Sequence, residues 1–157
     1  MITVDARLDR AFAFDAPVEA AYALLSDVPR WARLFPRVER VDAEPTADGA
    51  EAWRWTMEAL GPPGYAVQTV YACRYAFDPA AHAVAWAPMP ELGNARFSGG
   101  VDLDPDGAGS RGRLRLEASL DLPAPRFAAG LVRPAVRLEF ERMTGVFLSR
   151  VAEALRG

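Results

Sequence analysis

The sequence predicts an α+β domain in which a curved antiparallel sheet of about seven strands wraps around a long C-terminal helix. Three observations predict it. Apolar and polar residues alternate with period two at the amino terminus and again through the middle of the chain. Clusters of Gly, Pro, Asp and Asn cut that middle stretch at short intervals. A helical period returns after Pro125 and lasts almost to the end.

Taken in order, the first strand has Val4, Ala6, Leu8, Phe12 and Phe14 in one phase and Thr3, Asp5, Arg7 and Asp9 in the other, with Arg10 as an exception in the apolar phase. From Pro17 to Ser26 the period changes, and Val18, Ala21, Tyr22 and Leu25 share a helical face opened by Asp15 and Pro17. Asp27 is a cap for a second short helix carrying Trp31, Leu34 and Phe35, which Pro36 ends.

Between Val38 and Pro123 six strands are separated by turns at 44–49, 61–64, 78–79, 89–94 and 104–110. Ala52 to Leu60 carries Trp53, Trp55 and Met57 in one phase. Tyr65 to Phe77 carries Tyr65, Val67, Thr69, Tyr71, Cys73, Tyr75 and Phe77 in one phase, with Gln68 and Arg74 opposite. In the last strand Arg111, Arg113, Arg115, Glu117 and Asp121 alternate with Leu114, Leu116, Ala118, Leu120 and Leu122, so one face is wet and the other apolar. Pro134 is expected to divide the terminal helix. Val132, Val136, Phe140, Met143, Phe147, Val151 and Ala154 form its buried stripe.

Composition narrows the function classes. The chain has 157 residues, 51% hydrophobic and 25% charged, which is the balance of one globular domain spanning 1–157. A net charge of -3 provides no field for nucleic-acid backbones or anionic lipid, so no nucleic-acid partner is expected. A lone Cys73 and a charged, alternating amino terminus point to a reducing cytoplasm and against a signal peptide. No apolar run approaches the ~18 residues of a transmembrane segment, and a soluble protein is expected.

The order of elements, with Ala16-Pro17-Val18-Glu19, then the run from Leu24 to Trp31 and the run from Phe35 to Val41, resembles the START-like, birch-pollen-allergen-like helix-grip superfamily (SRPBCC). That group includes polyketide cyclases and coenzyme-Q-binding START proteins. The resemblance covers essentially the whole chain and carries no catalytic residue. It implies a hydrophobic cavity between sheet and terminal helix, and by itself neither a ligand nor a reaction.

The residues support a cavity independently, because Trp53, Trp55, Tyr65, Tyr71, Tyr75, Trp86 and Phe97 crowd the apolar phases of the central strands. Tyr and Trp need hydrogen-bond partners when buried, so such a face either fills the volume under the helix or borders a space that a ligand enters. Phe140, Met143 and Phe147 are its counterparts on the terminal helix. Arg10 needs an anion if it faces inward: a ligand group, a helix glutamate, or a bulge returning it to solvent would serve. Gly99-Gly100 bends the sheet or admits a ligand to the backbone. Gly145 marks close packing or room for a bound molecule.

Catalytic signatures are missing. His82, the only histidine, follows a turn, and Cys73 reads as a buried thiol. Asp102, Asp104 and Asp106 fall short of a calcium loop, and there is no metal-ligand spacing, phosphate loop or nucleophile elbow. The expectation is therefore a binder of a small hydrophobic molecule, lipid-, quinone- or polyketide-like, with no cofactor, no metal and no catalytic residue. A cyclase-like enzyme and an interaction module with a collapsed cavity are the alternatives.

Overall fold

The computed structural model describes residues 1–61, 63–64 and 66–157. Its elements are β1 (Ile2–Phe14), α1 (Val18–Leu25), α2 (Val28–Ala32), β2 (Val38–Ala43), β3 (Ala52–Met57), β4 (Val70–Asp78), β5 (Ala83–Gly93), β6 (Ala95–Asp106), β7 (Gly109–Leu122) and α3 (Ala129–Arg156), the last preceded by a 3-10 turn. All seven strands form one antiparallel sheet in the order β1-β7-β6-β5-β4-β3-β2.

The amino-terminal strand lies beside the last one, with Ile2 opposite Leu122 and Phe14 opposite Ser110. Its inward phase meets α3, and Arg133 and Arg137 of that helix donate to the Thr3 and Asp5 carbonyls at 3.4 and 2.9 Å. Asp27 caps α2 by accepting from the Arg30 N–H at 3.3 Å. The main core joins α1, α2, the inner face of the sheet and the C-terminal half of α3 through Leu24, Val28, Trp55, Leu103 and Val151. A smaller cluster of Ile2, Val4 and Leu122 takes Val132 and Val136 from the other half of α3.

Four expectations change. Pro134 does not divide α3, which is continuous from 129 to 156. The proline falls in the second turn and both it and Gly130 are exposed, so the carbonyl that loses its partner meets water. Ala154 is exposed rather than part of the buried stripe, and Thr144 is buried instead. The strand expected from Tyr65 begins at Val70; Val67 makes only an isolated bridge to Leu60, and Tyr65 lies outside the described residues.

The expected loop at 89–94 is strand as far as Gly93. Pairing of β5 with β6 ends at Trp86 opposite Gly99, so Pro88 and Pro90 sit where that edge of β5 has no partner to lose. The two strands diverge there and rejoin at Asn94, whose side chain and backbone bond to Val70, Gln68 and Asp121.

Candidate functional site

Below the inner face of β4 to β7 lies a small apolar cavity, closed on one side by α1 and α2 and on another by the C-terminal half of α3. The sheet contributes Tyr71, Cys73, Tyr75, Trp86 and Phe97, together with Val101, Leu114 and Leu116. Phe12 of β1 enters in the same phase as these. Leu25, Trp31 and Phe35 come from the two short helices and the segment after them, and Phe147 and Leu148 from α3. No charged side chain is among them. The free volume is about 50 Å³, against roughly 300–1,000 Å³ for pockets that enclose a drug-sized molecule.

The rings are packed against one another rather than held apart. Trp31 is central: its ring centroid lies 4.9 Å from Trp55, 5.5 Å from Phe147, 6.2 Å from Trp86 and 6.5 Å from Tyr75. Tyr71 is in contact with Phe97 at 4.2 Å, and Phe97 with Phe140 at 5.8 Å.

The polar atoms among these rings are few. Trp55 Nε1 donates to the Tyr75 hydroxyl at 2.8 Å, and the Cys73 thiol donates to the Phe97 carbonyl at 3.4 Å. Burial pushes the Tyr71 and Tyr75 hydroxyls well above the usual tyrosine range and Cys73 up to about 12. All three therefore stay protonated at neutral pH and act only as neutral hydrogen-bonding groups. Trp31 Nε1 is buried without a partner among the described residues.

Of the ten residues expected at a site, Tyr71, Tyr75, Trp86, Phe97 and Phe147 share this cavity. Trp55 supports it from behind, through Tyr75 and Trp31. Phe140 and Met143 pack against the core beside it. Trp53 is half-buried and donates to Glu51 at 2.9 Å, away from the lining.

Arg10 keeps its inward phase and passes beneath α3 outside the cavity. Its Nη1 lies 3.7 Å from the point where a side chain on Gly145 would begin, an ordinary contact distance, so the guanidinium runs close under that turn of α3. Arg10 makes no hydrogen bond or ion pair with the described residues. His82 occupies the β4–β5 turn at φ 53° and packs edge-on to Tyr22 at 5.6 Å. Among the described residues no three His, Cys, Asp or Glu side chains are grouped to hold a metal ion.

Sequence reasoning missed Trp31, Phe35, Leu25 and Phe12 as cavity residues. Their apolar periodicity was visible, but only the tertiary arrangement turns the short helices toward the sheet. Leu114 and Leu116 were legible as an inward phase, though not as lining the same cavity as Trp31.

Residues 5–153 match the family described as polyketide cyclase / dehydrase and lipid transport, and the chain belongs to it. Among solved structures it is similar to the Zhui aromatase/cyclase from Streptomyces sp. R1128, at 19% identity and TM-score 0.72 over 97% of this chain and 94% of that one. It is also similar to TTHA0849 from Thermus thermophilus, at 21% identity and TM-score 0.71, covering 96% of each chain. A START superfamily protein from Mycobacterium smegmatis gives 14% identity and TM-score 0.69, over 96% of this chain and 97% of that one. At these identities the likeness establishes the helix-grip fold. No curated protein matches the sequence. No helix of the described residues is long and apolar enough to cross a membrane.

Proposed function

We propose that this protein binds a small hydrophobic molecule, lipid-, quinone- or polyketide-like, between the sheet and α3, as a carrier or sensor in the cytoplasm. The observation that carries the reading is a cavity lined wholly by apolar and aromatic side chains and by neutral hydroxyl, thiol and indole groups. Burial of apolar area supplies the affinity at ~25 cal/mol per Å² before the costs of association and ordering.

The volume of about 50 Å³ makes opening part of the function: rings such as Phe147, Phe97 and Trp31 must separate to admit a ligand. Tyr71, Tyr75, Trp86, Phe97 and Phe147 are the proposed contacts. Trp55, Phe140 and Met143 form the wall that yields behind them. Trp53 and Arg10 are not among the lining side chains, and the reading gives them no contact with the ligand.

The aromatase/cyclase among the structural neighbours suggests an enzyme. Against it, no carboxylate or histidine lines this cavity, and its tyrosines and cysteine hold their protons. A surface-interaction module is favoured by the small volume alone.

Mass spectrometry under gentle ionisation on freshly purified protein, with extraction of any retained molecule, tests the reading. A stoichiometric apolar adduct is expected. Protein that is empty as isolated and takes up no apolar compound supports the interaction module instead. Substrate turnover that falls in Tyr71→Phe supports the enzyme, and unchanged turnover in both Tyr71→Phe and Arg10→Ala removes those residues from any mechanism.

A further inference from the structure

Trp31 is 8% exposed and lines the cavity, and its Nε1–H has no hydrogen-bond partner among the described residues. A buried N–H without an acceptor is costly, and native cores leave few of them. Trp31 sits among rings: Trp55, Phe147, Trp86 and Tyr75 all lie within 6.5 Å between centroids. The Tyr75 hydroxyl among them accepts from Trp55 and makes no bond with Trp31. An N–H facing a ring recovers only a second-order part of a hydrogen bond.

Indole nitrogen donates and never accepts. No cation lines the cavity, so a carboxylate or phosphate brought to Trp31 would be a desolvated, uncompensated charge. Resting on the ligand-binding reading above, we infer that Trp31 Nε1 is the polar anchor of the cavity, and that its ligand is neutral and carries a hydrogen-bond acceptor, a ketone, quinone or ester oxygen, embedded in an apolar body. A free fatty acid and a plain hydrocarbon are the poorer ligands. The first brings an unpaired charge, and the second leaves the donor unsatisfied.

The pair fluorene and 9-fluorenone tests this, since the two rigid skeletons differ chiefly in one carbonyl. Dissociation constants for both are measured on the full chain and on Trp31→Phe, which keeps a ring and removes the donor. The ratio of ratios cancels the difference in their hydration. A neutral hydrogen bond shifts it by about threefold to tenfold in favour of the ketone on wild type. A double ratio within twofold of unity overturns the inference and leaves the apolar cavity standing. Failure of both compounds to bind wild type overturns the cavity reading, and this one with it.

The four indole N–H signals in a nitrogen-15 correlation spectrum of wild-type protein give a readout that does not depend on folding of the variant. One signal, absent from Trp31→Phe or assigned by elimination with Trp53→Phe, Trp55→Phe and Trp86→Phe, moves downfield with fluorenone and stays in place with fluorene. Equal movement with both compounds, or none with either, contradicts the anchor.

Discussion

Tyr75 shows how little polarity this core tolerates: its hydroxyl accepts from Trp55 Nε1, and burial together with the neighbouring Cys73 keeps its proton in place. Cys73 behaves alike, pushed up to about 12 by burial. Both groups hold protons in the folded state that the unfolded chain releases, the thiol from about pH 9 upward. Their stabilising contribution is therefore complete below pH 9 and is lost as pH rises toward the folded values. Urea midpoints at successive pH values should fall between pH 9 and 12, each such group adding about 1.4 kcal/mol per pH unit to the slope. Cys73→Ala should flatten that slope; an unchanged slope would mean that the thiol is not shielded from solvent.

Arg10 illustrates what one residue in the wrong phase can and cannot reveal. Its position among Leu8 and Phe12 made the inward direction legible, and Gly145 was legible as an anomaly in a helix. That the two lie next to each other, on opposite elements 135 positions apart, depends on how α3 lies across β1. Trp31 was equally visible, yet nothing local distinguishes a packing tryptophan from one whose N–H is left without a partner.

Among the elements, those with a strong period were read nearly to the residue. The alternation of β7 and β1 and the cap at Asp27 are local properties, and they appear where the sequence put them. The misreadings are tertiary. Pro88 and Pro90 argue against a strand until β5 is seen to leave β6 beyond Trp86, and Pro134 argues for a break until its turn is seen to face solvent.

Two glycines test these placements in opposite directions. At Gly145 a new methyl would rest 3.7 Å from Arg10 Nη1, an ordinary contact, so Gly145→Ala should raise stability by up to about 1 kcal/mol through helix propensity. At Gly93, with φ of +81°, a Cβ would stand 1.9 Å from the Val70 carbonyl oxygen at the point where β5 turns into β6. Gly93→Ala should cost at least about 2 kcal/mol. Thermal unfolding of both variants checks the pair; destabilisation by Gly145→Ala would show that α3 lies closer to β1 than described.

For the whole molecule, one sheet and one helix build two unlike surfaces. The inner one is the ring-lined cavity. The outer face of α3 and the turn before it display Phe127, Leu131 and Leu138, 91%, 81% and 69% exposed. Apolar compounds have two places to go, and only the inner one accords with the proposed function. A ligand that selects the folded state stabilises it by about 2.7 kcal/mol at a hundredfold excess over its dissociation constant, whichever surface it uses. Stabilisation alone therefore does not locate it. Location is read from nuclear Overhauser contacts between bound naphthalene and the protein. The account predicts contacts to the rings of Tyr71, Phe97 and Phe147 together; contacts confined to Phe127, Leu131 and Leu138, or no binding at all, would contradict it.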